Sequence, residues 1–122
     1  KDNLKEDGIL VLNTRLGSGF DILTLKGGMD SIFPYEHIML PSRKGLEKIL
    51  DDADLELLEI TTPGTRDMES VLRNKDRIED ANFFVKYLLK TADKAVLSDF
   101  QQFLQKSGLS SFAQVVAKVR KQ

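Results

Sequence analysis

The run Gly8-Ile9-Leu10-Val11-Leu12-Asn13 constrains this chain more than any other segment. It is nearly continuous in apolar side chains, partly β-branched, and entered by the turn-forming pair Asp7-Gly8. Such a run predicts a strand over about 9–13 buried on both faces, as in a parallel sheet, because a half-solvated strand alternates apolar with polar residues. A strand of this kind needs a neighbour on each edge and a cover on each face.

The chain offers two further strands. Leu55 to Thr61 is one, ended by the turn pair Pro63-Gly64. Phe112 to Val119 is the other: Ala113, Val115, Ala117 and Val119 share one face, and Phe112, Gln114, Val116 and Lys118 share the opposite one. Residues 1–7 read as the tail of an upstream element, and Lys1 in place of Met suits a piece of a longer protein.

Four helices are predicted. Ser42 caps one over about Arg43 to Asp51, with Leu46, Ile49, Leu50 and Ala53 on one face. Asp51, Asp52 and Asp54 oppose the dipole at its end and stop it there. Thr65 is placed to cap a short helix with Met68, Val71 and Leu72 inward. A third runs from about Ile78 to Lys90, with Ile78, Ala81, Val85, Leu88 and Leu89 on one stripe. A fourth runs from Lys94 to Lys106, with Val96, Phe100, Phe103 and Leu104 inward and Gly108 as its left-handed C-terminal cap. Phe83, Phe84, Tyr87, Phe100 and Phe103 fall at helical spacing and read as core or helix–helix contacts. Residues 14–41 lack sustained periodicity and carry Gly17, Gly19, Gly27, Gly28, Pro34 and Pro41; within them Ile22 to Leu25 suits either a helical turn or a brief strand. So long an irregular connection inside an ordered domain suggests a functional loop.

The order strand, loop, helix, strand, helices, strand gives an α/β sheet with a helical insertion at about 66–106. Three strands and these helices leave the 9–13 strand short of cover and open at an edge. An open apolar edge is a liability for a free-standing domain, so a partner segment is expected upstream. A second option is a complete α+β binding module without catalysis. A third is a domain that forms a homodimer through the open edge.

Composition closes off several functions. The 122 residues carry 18 Lys and Arg against 19 Asp and Glu, a net charge of −1, which gives no field for nucleic acid or an acidic membrane. With no Cys and one His, thiolate and His-rich metal sites are excluded. No stretch is apolar enough to span a bilayer, so a cytoplasmic location is expected.

Four segments carry a resemblance that spans nearly the whole chain. LKEDGILVLNTR (4–15), FPYEHIMLPSRKGLEKILDDADLELLEITTPG (33–64), TTPGTRDMESV (61–71) and GLSSFAQVVAKVRK (108–121) together resemble the C-terminal part of class I S-adenosylmethionine-dependent methyltransferases. The resemblance implies a Rossmann-like sheet in which 9–13 and 55–61 are the fifth and sixth strands. The last strand, 112–119, would then run antiparallel between them. It implies S-adenosylmethionine as cofactor of the full-length protein and a small-molecule methyl acceptor. The chain departs from the family in one decisive respect. The glycine-rich loop after the first strand and the acidic residue that holds the ribose are absent. Gly17-Ser18-Gly19 is no substitute, being too short and followed by no evident helix pattern. The chain is therefore expected to hold the substrate-side half only, to bind no cofactor and to be inactive alone. Two smaller departures are Asp52-Ala53-Asp54, where relatives often turn on glycine, and Phe112, where some carry His.

Ligands of open α/β sheets gather at the carboxyl ends of the parallel strands. Asn13 and Arg15 leave the first strand at that end and are candidate substrate-binding residues, and Phe20 and Tyr35 are candidate aromatic walls. Methyl transfer from a sulfonium depends mainly on alignment, and a hydroxyl or amine acceptor gains from a base. Glu36 and His37 are the candidate catalytic pair; the alternative is that His37 is a structural hydrogen-bonding group held by Glu36.

Overall fold

The computed structural model describes residues 3–26, 29, 32, 33 and 35–121. Lys1, Gly27, Gly28, Pro34 and Gln122, which entered the reading of the loop and termini, lie outside them. In chain order the elements are β1 (Ile9–Arg15), α1 (Phe20–Leu25), α2 (Arg43–Asp52), β2 (Leu55–Thr61), α3 (Asp67–Arg73), a 3₁₀ turn (Lys75–Arg77), α4 (Phe83–Thr91), α5 (Lys94–Lys106) and β3 (Phe112–Val119).

The three strands form one mixed α/β layer in the order β1-β3-β2, with β3 antiparallel to both neighbours. β1 and β2 therefore run in the same direction, and their carboxyl ends, at Arg15 and Thr61, lie on the side where β3 begins. The alternation read in β3 sets the covered face: Ala113, Val115 and Ala117 are fully buried. Leu10 and Leu12 stand opposite Ala117 and Val115 in register, and Leu46 and Leu50 of α2 close over them. α2 begins as its sequence requires, with the Ser42 hydroxyl accepting the Gly45 N–H at 3.1 Å. A second core under α1 and α3 gathers Ile22, Leu25, Met29, Val71, Ile78 and Val85.

β1 is covered on one face only. Ile9 is 60% exposed and Val11 58%, with Val116 half-buried opposite Val11. The far edge of β1 has no strand partner among the described residues. The apolar run thus lacks the double burial its composition predicts, because the cover supplied by the described residues lies on the Leu10–Leu12 side.

The helices differ from expectation in particular places. There are five α-helices among the described residues, the fifth being α1, which settles Ile22 to Leu25 as helix. α4 starts at Phe83 rather than near Ile78. Ile78 is buried all the same, so its place in the apolar stripe came from an extended residue after the 3₁₀ turn. Arg66, not Thr65, occupies the N-cap of α3, and its own side chain makes no capping hydrogen bond. Ile49, Leu72, Val96 and Phe103 are substantially exposed, and Ala53 is exposed as well. The aromatics of α4 and α5 are mostly outward: Phe83, Phe84 and Tyr87 are all more than half exposed, and only Phe100 bridges inward, 5.4 Å from Phe20 and 6.3 Å from Phe84 between ring centres. Helical spacing was right there, but none of the described residues covers the outer side of this pair of helices. Gly108 takes φ of +72° after α5, the left-handed cap expected of it. No described helix is long and apolar enough to cross a membrane.

Candidate functional site

The carboxyl ends of β1 and β2 are joined to α1, α3 and α5 by one polar network. Its centre is Asp67, 3% exposed at the start of α3. Asp67 Oδ1 accepts the Ser111 N–H at 2.8 Å; Oδ2 accepts Ser110 Oγ at 2.6 Å and Gln101 Nε2 at 2.7 Å. Gln101 Nε2 also donates to the Gly64 carbonyl, and Gln101 Oε1 accepts the Met68 N–H. A buried charge survives only with such complete pairing. From the other side, the Leu16 N–H donates to the Ser111 carbonyl and the Phe20 N–H to the Leu109 carbonyl, which seats α1 against the start of β3.

Arg15 closes this arrangement. Its Nη2 donates to Asp21 Oδ2 at 3.0 Å, and Asp21 Oδ1 accepts the N–H of Ile22. Burial pushes the Asp21 carboxyl above the ordinary aspartate range; the Ser111 hydroxyl opposes this, the Asp67 charge adds to it, and Arg15 opposes it again. A carboxyl raised in the folded state binds its proton more tightly there than in the unfolded chain. Its contribution to stability is therefore full below the ordinary aspartate pKa and is lost as pH rises through the folded value. Exposed Asp80 is shifted the opposite way by its hydrogen bond to Lys86. In a carboxyl-carbon NMR titration, Asp21 is expected to titrate at higher pH than Asp80; the reverse order would show that the Arg15 pair outweighs burial.

Beside the network lies an open groove of about 380 Å³ lined by Asn13, Thr14, Arg15, Glu36, His37, Met39 and Phe112. Four of the six candidate residues, Asn13, Arg15, Glu36 and His37, thus meet at the carboxyl end of β1. Tyr35 does not join them: it is 97% exposed and stands clear of the groove. Phe20 does not line it either, since its ring packs on Phe100. Asn13 Oδ1 faces Gln114 Nε2 at 3.4 Å. His37 Nδ1 accepts the Phe33 N–H at 3.2 Å. A neutral imidazole with Nδ1 accepting carries its proton on Nε2. In this geometry a neutral His37 therefore presents Nε2–H as a donor.

Gly17-Ser18-Gly19 does not fit an S-adenosylmethionine loop. A helix does open directly after it, at Phe20, contrary to the sequence reading. The loop still offers no cradle. The Gly17 N–H donates to the Pro41 carbonyl, the Gly19 N–H to Leu16 and the Phe20 N–H to Leu109, so these amides are spent within the chain. Among the described residues no His, Cys, Asp and Glu group has the arrangement to hold a metal ion.

Asp21, Asp67, Gln101 and Ser111 were missed by sequence reasoning. Ser110-Ser111 just before a strand and an Asp three residues after Pro63-Gly64 are the local signals, but partners 34 and 44 residues apart leave no periodic trace. In comparison with known proteins, no family model and no curated protein matches the chain.

Proposed function

We propose that this chain is the substrate-side part of an α/β methyltransferase domain, cytoplasmic, and inactive in methyl transfer by itself. The observation that carries the reading is the sheet: an antiparallel strand wedged between two parallel ones, with an apolar strand that the described residues leave bare on one edge and one face. At about 25 cal/mol per Å², the exposed side chains of Ile9 and Val11 represent burial that an added strand or helix would recover. Such an addition at the free edge of β1 would continue the parallel side of the sheet. The groove holding Glu36 and His37 sits at the carboxyl ends, where an acceptor substrate would approach. With no fitting cofactor loop among the described residues, this reading assigns the methyl donor to a segment outside this sequence.

Titration calorimetry of the isolated chain with S-adenosylmethionine is expected to show no binding, and the upstream reading frame is expected to encode a strand, a Gly-x-Gly loop and a helix. Binding to the isolated chain, or a start codon immediately before Lys1, would overturn the reading. The bare β1 edge also favours a second reading, a non-enzymatic module that dimerises strand to strand; sedimentation of a dimer lost on substituting Val11→Lys would favour it.

A further inference from the structure

A cavity of about 370 Å³ opens at the carboxyl ends of β1 and β2, on the other side of Arg15 from the His37 groove. Its floor and mouth include Arg15, Asp21, Arg66, Asp67, Ser70 and Arg73. The carboxylates and two of the carbonyls in this wall already accept hydrogen bonds. Both oxygens of Asp67 and both of Asp21 receive hydrogen bonds, the Gly64 carbonyl receives Gln101, and the Pro63 carbonyl receives Gln105. Some of the donors are not used. Arg15 Nε and Ser70 Oγ are buried without a partner, and Ser70 as a whole is only 6% exposed. Arg66 and Arg73 share the single carboxylate of Glu69, through one nitrogen each, so their other N–H groups remain available.

A wall with spent acceptors and spare donors fits a ligand that brings acceptors. Three guanidinium groups outnumber the two carboxylates, Asp21 and Asp67, whose oxygens already accept hydrogen bonds, so the wall disfavours a cation; a neutral apolar ligand would leave the Ser70 and Arg15 donors buried and unmet. We propose that this cavity binds the carboxylate or phosphate group of a small molecule, with Ser70 and Arg15 Nε at its floor and Arg66 and Arg73 at its mouth. A guanidinium fork matches the paired oxygens of either group. The proposal stands on the cavity alone and does not depend on the methyl-transfer reading.

The test is amide NMR of the chain titrated separately with inorganic phosphate and with succinate, ionic strength held constant with sodium chloride. Saturable shifts are expected at Gly64, Ser70, Ser111 and Phe112, with midpoints of about 1–10 mM. R66Q/R73Q, at exposed positions that leave folding intact, is expected to weaken binding about tenfold or more, because charge-assisted bonds are lost. S70A should weaken it by about threefold. K48Q, in a surface ion pair on α2, should leave it unchanged. Tighter binding of succinate would assign the site to a carboxylate, and tighter binding of phosphate to a phosphoryl group. Shifts still linear at about 100 mM, where only loose ion screening acts, or equal midpoints in the chain and in R66Q/R73Q, would overturn the proposal.

Discussion

Replacing Asp67 by alanine is expected to cost this chain about 3–5 kcal/mol of folding stability, because several buried donors are left without an acceptor at about 1–3 kcal/mol each. Three donors lose their acceptor at once: the Ser111 N–H, the Ser110 hydroxyl and one hydrogen of Gln101. Ser110 and Ser111 are almost wholly buried, so water cannot replace the carboxylate without opening the structure. Asp67→Asn should fall between, since it keeps the volume but turns one acceptor into a donor facing donors. Urea unfolding measures both. A loss of under about 1 kcal/mol for the alanine variant would mean that the donors rehydrate freely and the network does not hold the sheet end together.

The second large effect is expected from Gly19→Ala, at about 3 kcal/mol, the upper end of overpacking costs. A Cβ at Gly19 would lie 2.2 Å from the Ser111 Cα and 2.6 Å from its nitrogen. Gly19 has an ordinary extended backbone, so the demand is for space and not for an unusual φ. Backbone cannot swing aside as a side-chain tip can. Ser111 is also pinned, its N–H to Asp67 and its carbonyl to the Leu16 N–H. Either the α1 seat or the Asp67 bond must give. The two substitutions therefore strike one contact, and the double variant should cost clearly less than the sum of the singles. Strict additivity in the same urea experiment would show that Gly19 and Asp67 act on separate parts of the fold.

Local pattern accounts for much of the architecture. The alternation of Ala113, Val115 and Ala117 decided which face of β3 is covered, and the apolar runs at 9–13 and 55–61 decided where strands form. These signals are legible because a strand's side-chain period is built into its backbone. Ser42 and Gly108 were legible for a similar reason: capping chemistry acts within a few residues. The start of α4 was not. Ile78 is buried from an extended segment, and burial alone carries no record of backbone conformation. The outward aromatics of α4 and α5 show the same limit, since helical spacing names a face and not what lies over it.

For the site, the sequence determined the kinds of group available: one imidazole, no thiol, and Asn13 and Arg15 leaving a strand at its carboxyl end. It could not determine company. The tertiary structure alone brought Glu36 and His37 to Asn13 and Arg15, left Tyr35 in solvent, and turned Phe20 to Phe100. It alone seated Asp67 on Ser110, Ser111 and Gln101, and left Arg15 Nε and the Ser70 hydroxyl without partners. Strand period and capping are fixed by neighbours along the chain, whereas these meetings join residues tens of positions apart, which only the closing of the fold brings within hydrogen-bonding reach.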